Sequence, residues 1–138
     1  MKRLVIMLGA AVFATAAFAG VNWEHNYDTA LEKAQQGKKL VMVDVYTDWC
    51  GWCKKLDKDT YSDKDVAASL AKDFIALKIN PEQSNKNKQL AAQLGTRGFP
   101  HIVFLDAKGK KLAEINGYLP ADKFQAQLKR IVEQAAQK

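Results

Sequence analysis

An α/β fold with a mixed central sheet and helices on both faces is what this sequence predicts, on three observations. Apolar, β-branched runs of strand length recur at Leu40–Tyr46, Phe74–Ile79 and Ile102–Leu105. Stretches with helical spacing of apolar residues separate them. After the third run, the turn residues Asp106-Ala107-Lys108-Gly109 lead straight into a further strand, so the chain ends on a hairpin and a helix rather than on another crossover.

The elements follow in order. Tyr27, Ala30, Leu31 and Ala34 lie on one helical face, with Asn26 or Asp28 available to cap the start and Gly37 to end it. Leu40–Tyr46 reads as a buried central strand. A second helix opens at the Cys50-Gly51-Trp52-Cys53 segment and runs through Leu56, and Ser62 with Asp65 resembles a capping box for a helix through Lys72. Phe74–Ile79 is the next strand. Asn85 to Leu94 reads as a helix stopped by Gly95. Ile102–Leu105 and Lys111–Ile115 form the hairpin, the latter as an edge strand. Phe124, Leu128, Ile131 and Ala135 make the apolar stripe of the last helix, with Pro120 suited to its first turn.

Length and composition suit one domain: 138 residues, 48% apolar, and no repeat or low-complexity linker. The first residues read differently from the rest. Met1-Lys2-Arg3 is basic, Leu4–Phe18 is apolar apart from Thr15, and Ala17-Phe18-Ala19 is a small-x-small cleavage site. That order is a secretory signal peptide, residues 1–19, followed by a domain at 20–138. A retained anchor is the alternative, but the run is shorter than the roughly 20 residues that span a bilayer. The net charge of +6 is spread along the chain and interleaved with acids, as in Lys54-Lys55-Leu56-Asp57-Lys58-Asp59. This is the pattern of a solvated face, and no nucleic-acid motif accompanies it.

The chain has two cysteines, Cys50 and Cys53. As a structural staple the pair is poor: closing so small a ring stabilises by only about 2 kcal/mol, against about 3 for a fifteen-residue loop. Zinc usually asks for a second ligand pair, and His25 and His101 stand alone. Haem attachment needs His after the second cysteine, where Lys54 stands. A redox pair fits the placement. A strand ends just before Asp48-Trp49, so Cys50 opens a helix, where unpaired N–H groups and the helix dipole favour a thiolate. Cys50 then attacks a disulfide and Cys53, one turn on, resolves the mixed disulfide. A copper or zinc carrier using the same thiols remains the alternative of a different class. Asp44 interrupts the central strand. It either bonds a neighbouring backbone group or is a desolvated carboxylate fitted to general-base work.

Val43-Asp44-Val45-Tyr46-Thr47-Asp48-Trp49-Cys50-Gly51-Trp52-Cys53-Lys54 closely resembles the active-site segment of thioredoxins. Thr96-Arg97-Gly98-Phe99-Pro100 resembles their cis-proline loop, and Gly117 before the last helix also fits. The likeness runs from about Trp23 to Glu133. The Tyr61-Ser62-Asp63 step looks similar to periplasmic members and to the C-terminal domain of the membrane-bound thiol:disulfide interchange reductase.

The resemblance implies a thioredoxin fold, a cis Phe99–Pro100 bond packed on the disulfide, and backbone beside it that pairs with a substrate strand. It implies Asp44 as proton acceptor for Cys53, Lys78 as its electrostatic neighbour, and Trp49 and Gly51 at the contact surface. Trp52 departs from the family's proline; it restores a backbone N–H near the Cys50 sulfur and adds apolar area. His101 follows Pro100 where thioredoxin carries threonine, and reads as a packed or surface histidine in preference to one that tunes the thiols. The expected activity is protein thiol–disulfide exchange without an organic or metal cofactor. Reduction is favoured over oxidation, with a membrane electron donor, a monomeric state and no nucleic-acid partner.

Export makes a direct prediction: the exported protein begins at Gly20. Intact-mass measurement on secreted or periplasmic material checks it, and a mass that retains Met1 rules out cleavage at Ala19.

Overall fold

Residues 20–138 are described by the computed structural model; the expected signal segment, 1–19, lies outside them. The strands are β1 (Trp23–Glu24), β2 (Leu40–Val45), β3 (Phe74–Ile79), β4 (His101–Leu105) and β5 (Lys111–Asn116). The helices are α1 (Tyr27–Gly37), α2 (Gly51–Lys55), α3 (Lys64–Asp73), α4 (Asn85–Gln93) and α5 (Ala121–Ala136). The strands form one sheet in the order β1-β3-β2-β4-β5. β1 and β2 both run parallel to β3, while β4 is antiparallel to β2 and β5 to β4. The mixed sheet, the central place of β2 and the edge place of β5 agree with the sequence reading. β1 was not foreseen, because two residues are too few to show alternation.

Side chains alternate across a strand, so each strand feeds two cores. Met42, Phe74, Ala76, Ile102 and Phe104 face one way and pack with Val66 and Leu70 of α3 and Phe124, Leu128 and Ile131 of α5. Val41, Val43, Val45, Leu77, Ile79, Val103 and Leu105 face the other way, onto Ala30 and Ala34 of α1 and Leu90 and Ala91 of α4. Asp44 and Lys78 keep the parity of Met42 and Ala76. Their side chains therefore belong to the face covered by α3 and α5.

Local details differ from the sequence reading for identifiable reasons. Asn26 caps α1 by accepting the Thr29 N–H at 3.0 Å. Gly37 stays helical, and Lys38 takes the left-handed conformation, φ 53°, with its N–H on the Ala34 carbonyl. The cap of α3 is Asp63, whose Oδ1 accepts from both Asp65 and Val66 N–H groups at 3.0 Å. A carboxylate is the stronger acceptor there, and the Ser62 hydroxyl instead donates back to the Lys58 carbonyl. Pro120 occupies the cap position of α5 rather than its first turn.

The larger departure is the segment after α2. Leu56–Thr60 forms a π-helical turn, closed by the Tyr61 N–H on the Leu56 carbonyl at 3.0 Å. The extra residue in the turn lets Leu56, Thr60 and Tyr61 all point inward. Thr60 Oγ1 ties it down by donating to the Leu119 carbonyl at 2.6 Å.

Register brings one end of the sheet into focus. Val45 pairs with Ile79 on one side and His101 on the other, and His101 pairs with Asn116. Because β4 runs against β2, its first residue lies beside the last residue of β2. The Cys segment, the loop after β3, the segment before β4 and Gly117-Tyr118 after β5 therefore leave the sheet at the same edge.

The β4–β5 turn carries a test of packing. Gly109 has φ +88°, and a Cβ there would lie 2.8 Å from the Tyr27 hydroxyl of α1. Gly109→Ala should lower stability by about 1–2 kcal/mol from backbone strain alone. Urea unfolding checks this; an unchanged midpoint would show that the turn relaxes freely.

Candidate active site

The strand β2 ends at Val45, and Thr47 to Trp49 carry the chain to the start of α2. Cys50 is the cap residue of that helix, with extended backbone. Its Sγ accepts the Cys53 N–H at 3.1 Å. The two cysteines are joined in a disulfide, with Cα atoms 5.3 Å apart. Cys50 is 6% exposed and Cys53 2%. Both sulfurs are thus largely covered, and what separates them is position. Cys50 sits at the cap position of α2, whereas Cys53 lies within the first turn. The N–H that reaches the Cys50 sulfur belongs to Cys53; no hydrogen bond from the Trp52 N–H to it occurs among the described residues.

Asp44 is 1% exposed. Lys78 of β3, its neighbour across the sheet, places Nζ 3.1 Å from Asp44 Oδ2. The approach is close enough for an ion pair, yet neither carboxyl oxygen has a well-aligned hydrogen bond. Burial pushes the Asp44 carboxyl above its ordinary range, and the Lys78 charge offsets this only in part. Lys78 also loses solvation, but two carboxylates outweigh that loss and hold its pKa up.

The second carboxylate is Asp57, in the π turn, with Oδ1 2.7 Å from Lys78 Nζ. The ammonium further lies 4.5 Å from the Tyr46 ring centroid and 5.0 Å from that of Trp23. The buried Tyr61 hydroxyl lies near enough to Asp44 to influence its titration. Burial first, and Asp44 second, lift the Tyr61 pKa well above its usual value.

Phe99–Pro100 is a cis peptide bond. The Pro100 carbonyl accepts the Gly117 N–H at 2.9 Å, which fixes the loop to the strand end of β5. Trp49 and Trp52 are large and exposed, 68% and 59%. Trp49 meets the Phe99 ring edge-on at 5.9 Å and donates its indole N–H to Glu82 at 2.5 Å. Trp52 lies 5.7 Å from the Tyr118 ring. Gly51 is exposed between them, with nothing within 4 Å of where a Cβ would stand.

The site residues expected from the sequence lie in or beside Cys50–Cys53, the Asp44–Lys78 pair or the Phe99–Pro100 loop; His25 lies apart from them, between β1 and α1. Four neighbours carry no site signal of their own in the sequence: Asp57, Tyr61, Glu82 and Tyr118. Asp57 belongs to the interleaved lysine–acid run that reads as a solvated face. Only the π turn swings it back onto Lys78, and no sequence pattern announces such a turn. His101, read as packed or surface, is buried. No group of three or more His, Cys, Asp or Glu side chains gathers as a metal centre among the described residues.

The raised Asp44 pKa has a signed consequence. An unfolded aspartate ionises near ~3.9, while the folded one holds its proton to higher pH. Stability from this group is present below the unfolded value and is lost as pH rises through the folded one. Asp44→Asn should therefore be more stable than the parent at neutral pH, with Lys78 still held by Asp57. The gap should close as pH falls to about 4. Denaturant midpoints across pH 4–8 test it; a variant less stable at neutral pH would reverse the sign.

Residues 27–131 match the family described as thioredoxin-like domain. Over 100 residues the chain is 38% identical to the thiol:disulfide interchange protein DsbD of Photorhabdus laumondii subsp. laumondii, covering 70% of this chain and 17% of that one. With DsbD of Colwellia psychrerythraea it is 32% identical over 119 residues, 84% of this chain and 20% of the other. The chain thus spans at most 20% of the length of these two relatives. A solved structure titled DsbH oxidoreductase superposes with TM-score 0.74 and 27% identity, over 83% of this chain and 86% of that one. The oxidised C-terminal domain of Neisseria meningitidis DsbD shares the fold, with TM-score 0.62 and 22% identity, over 75% and 90% of the two chains. With a cysteine pair opening a helix, a cis-proline loop beside it and a match over nearly the whole described domain, the chain belongs to the thioredoxin-like family.

Proposed function

We propose that this protein is an exported thiol–disulfide oxidoreductase that reduces disulfides in other proteins. The observation that carries the reading is the Cys50–Cys53 pair at a helix start, with the Cys53 N–H on the Cys50 sulfur. The buried Asp44–Lys78 pair, on the sheet face that the helices cover, supports a proton acceptor for the second thiol. The name thiol:disulfide interchange protein, borne by the relatives, points the same way.

In the reduced protein the Cys50 thiolate attacks a partner disulfide. A new Cys50–partner S–S bond forms, the partner's own S–S bond breaks, and the released partner sulfur leaves as thiolate and takes a proton. Cys53 then passes its proton to the Asp44 carboxylate and attacks the Cys50 sulfur. The Cys50–partner bond breaks, the second partner sulfur departs as thiolate and takes a proton, and Cys50–Cys53 is left oxidised. The partner gains two electrons and this chain loses two. Asp44 suits the proton step because burial raises its affinity for a proton, while Lys78 keeps the ionised form accessible.

Phe99 and Pro100 present backbone to the partner, and Trp49, Gly51 and Trp52 form the surrounding contact surface. An exported compartment is commonly oxidising, so the two electrons must be restored by a dithiol donor, which we place in the membrane. The protein acts as a monomer, outside the cytoplasm, on protein thiols and disulfides, with no nucleic-acid partner and no cofactor beyond its own sulfurs.

The two thiols are separable by mutation. Cys53→Ser should accumulate mixed disulfides with exported proteins, since the bond to Cys50 is no longer resolved. Cys50→Ser should trap at least tenfold less. Non-reducing gels of the two variants, with reduction as the control, read this directly; equal trapping would undo the assignment of nucleophile and resolver.

A further inference from the structure

His101 is the first residue of β4, directly after Pro100, and is 1% exposed. Both of its ring nitrogens are engaged. Nδ1 lies 2.8 Å from the Thr96 hydroxyl, and Nε2 lies 2.7 Å from Glu114 Oε2 on β5. Glu114 is in turn held by Lys111 Nζ at 2.5 Å. Lys111 first, and His101 second, hold the Glu114 carboxyl down at about 2. An ionised carboxylate only accepts, so the Nε2–H donates to Glu114, while Nδ1 pairs with the Thr96 hydroxyl.

These contacts bridge the two ends of one loop. Thr96 begins the Thr96–Pro100 segment, and His101 ends it. Between them, Arg97, Gly98 and Phe99 make no backbone hydrogen bond with any described residue. Pro100 has no N–H, and its carbonyl is already taken by Gly117. The loop is therefore held from its ends. Thr96 is anchored by its N–H to the Ala91 carbonyl at 3.0 Å and by its hydroxyl to the imidazole. The imidazole is anchored to β5 through Glu114. A loop with free N–H and C=O groups and fixed ends is ready to pair with an extended chain, because little conformational freedom is left to lose on binding.

We propose that His101 is a positioning residue for partner binding: with Thr96 and Glu114 it clasps the Thr96–Pro100 loop at both ends, and so sets how tightly a protein disulfide is held over Cys50. The kinetic side of this proposal rests on the thiol–disulfide reading above; the ordering of the loop does not. Loss of the clasp weakens pairing with an extended polypeptide while leaving the sulfurs themselves in place. A small disulfide, too short to lie along the loop, is much less affected.

Thr96→Val removes the hydroxyl with almost no change of shape and is partly buried, so folding is preserved. In the full mature chain, backbone ¹⁵N order parameters of Arg97, Gly98 and Phe99 should fall from rigid values near ~0.85 toward ~0.6 or below. KM for reduction of insulin disulfides should rise at least threefold with kcat nearly unchanged, while the rate with 5,5′-dithiobis(2-nitrobenzoate) changes less than twofold. His101→Gln keeps a donor for Glu114 but not the Thr96 contact. It should match Thr96→Val, and the double variant should be no worse than either single one. Unaltered order parameters in Thr96→Val, or additive effects in the double variant, would overturn the clasp. Absence of exchange by the parent protein would instead sink the functional reading, with the order parameters still deciding the clasp.

Discussion

Burying the Asp44 carboxylate in the central strand is the constraint around which the rest of this site is arranged. An isolated ion in such a place costs several kcal/mol, so the fold must bring it a cation, neutralise it, or both. Lys78 comes from the adjacent strand in parallel register, which puts the two side chains on the same face. The lysine then has its own desolvation to offset, and it does so with Asp57 and with the faces of Tyr46, Trp23 and Tyr61. The π turn follows from the same requirement. It lets Leu56, Thr60 and Tyr61 fill the core while Asp57 reaches back to the ammonium. The result is a buried carboxyl whose pKa burial raises and the Lys78 charge offsets only in part.

The second organising feature is directional. Parallel β2 and β3 end where antiparallel β4 begins, so the cysteine pair and the cis-proline loop leave the sheet at one edge, with the Asp44–Lys78 pair just inside it. The helix that follows β2 presents the Cys53 N–H to the Cys50 sulfur, and β4 starts directly after the cis-proline. Strands thus fix the chain segments on either side of this edge. The exposed aromatics sit around this edge in pairs, Trp49 with Phe99 and Trp52 with Tyr118, and Trp49 and Trp52 are the large apolar side chains most open to solvent among the described residues.

Much of this was legible from residue order. The runs Leu40–Tyr46, Phe74–Ile79 and Ile102–Leu105 are strands because a buried strand is continuous in apolar character, and the helices show their faces by spacing. The misses have one cause: they depend on competition among nearby groups. Ser62 and Asp63 both cap well, and only the neighbouring Lys58 carbonyl, which engages the serine, leaves the aspartate to α3. Gly37 is the better candidate for a left-handed cap, yet the helix runs one residue further and Lys38 adopts it. β1 exists because β3 offers it an edge, not because Trp23-Glu24 favours a strand.

The amino-acid order by itself determined the fold class, the central strand, the cysteine pair and its place at a helix start, because these rest on local spacing and on chemistry within one segment. Tertiary structure alone decided which carboxylate accompanies Lys78 besides Asp44, that Tyr61 shares their pocket, that Glu82 receives Trp49, and that His101 joins Thr96 to Glu114. Each of these contacts spans separate segments, and its partner is set by register across the sheet and by one irregular helical turn. An energetic balance over the whole core selects both, so no single stretch of sequence carries their signal.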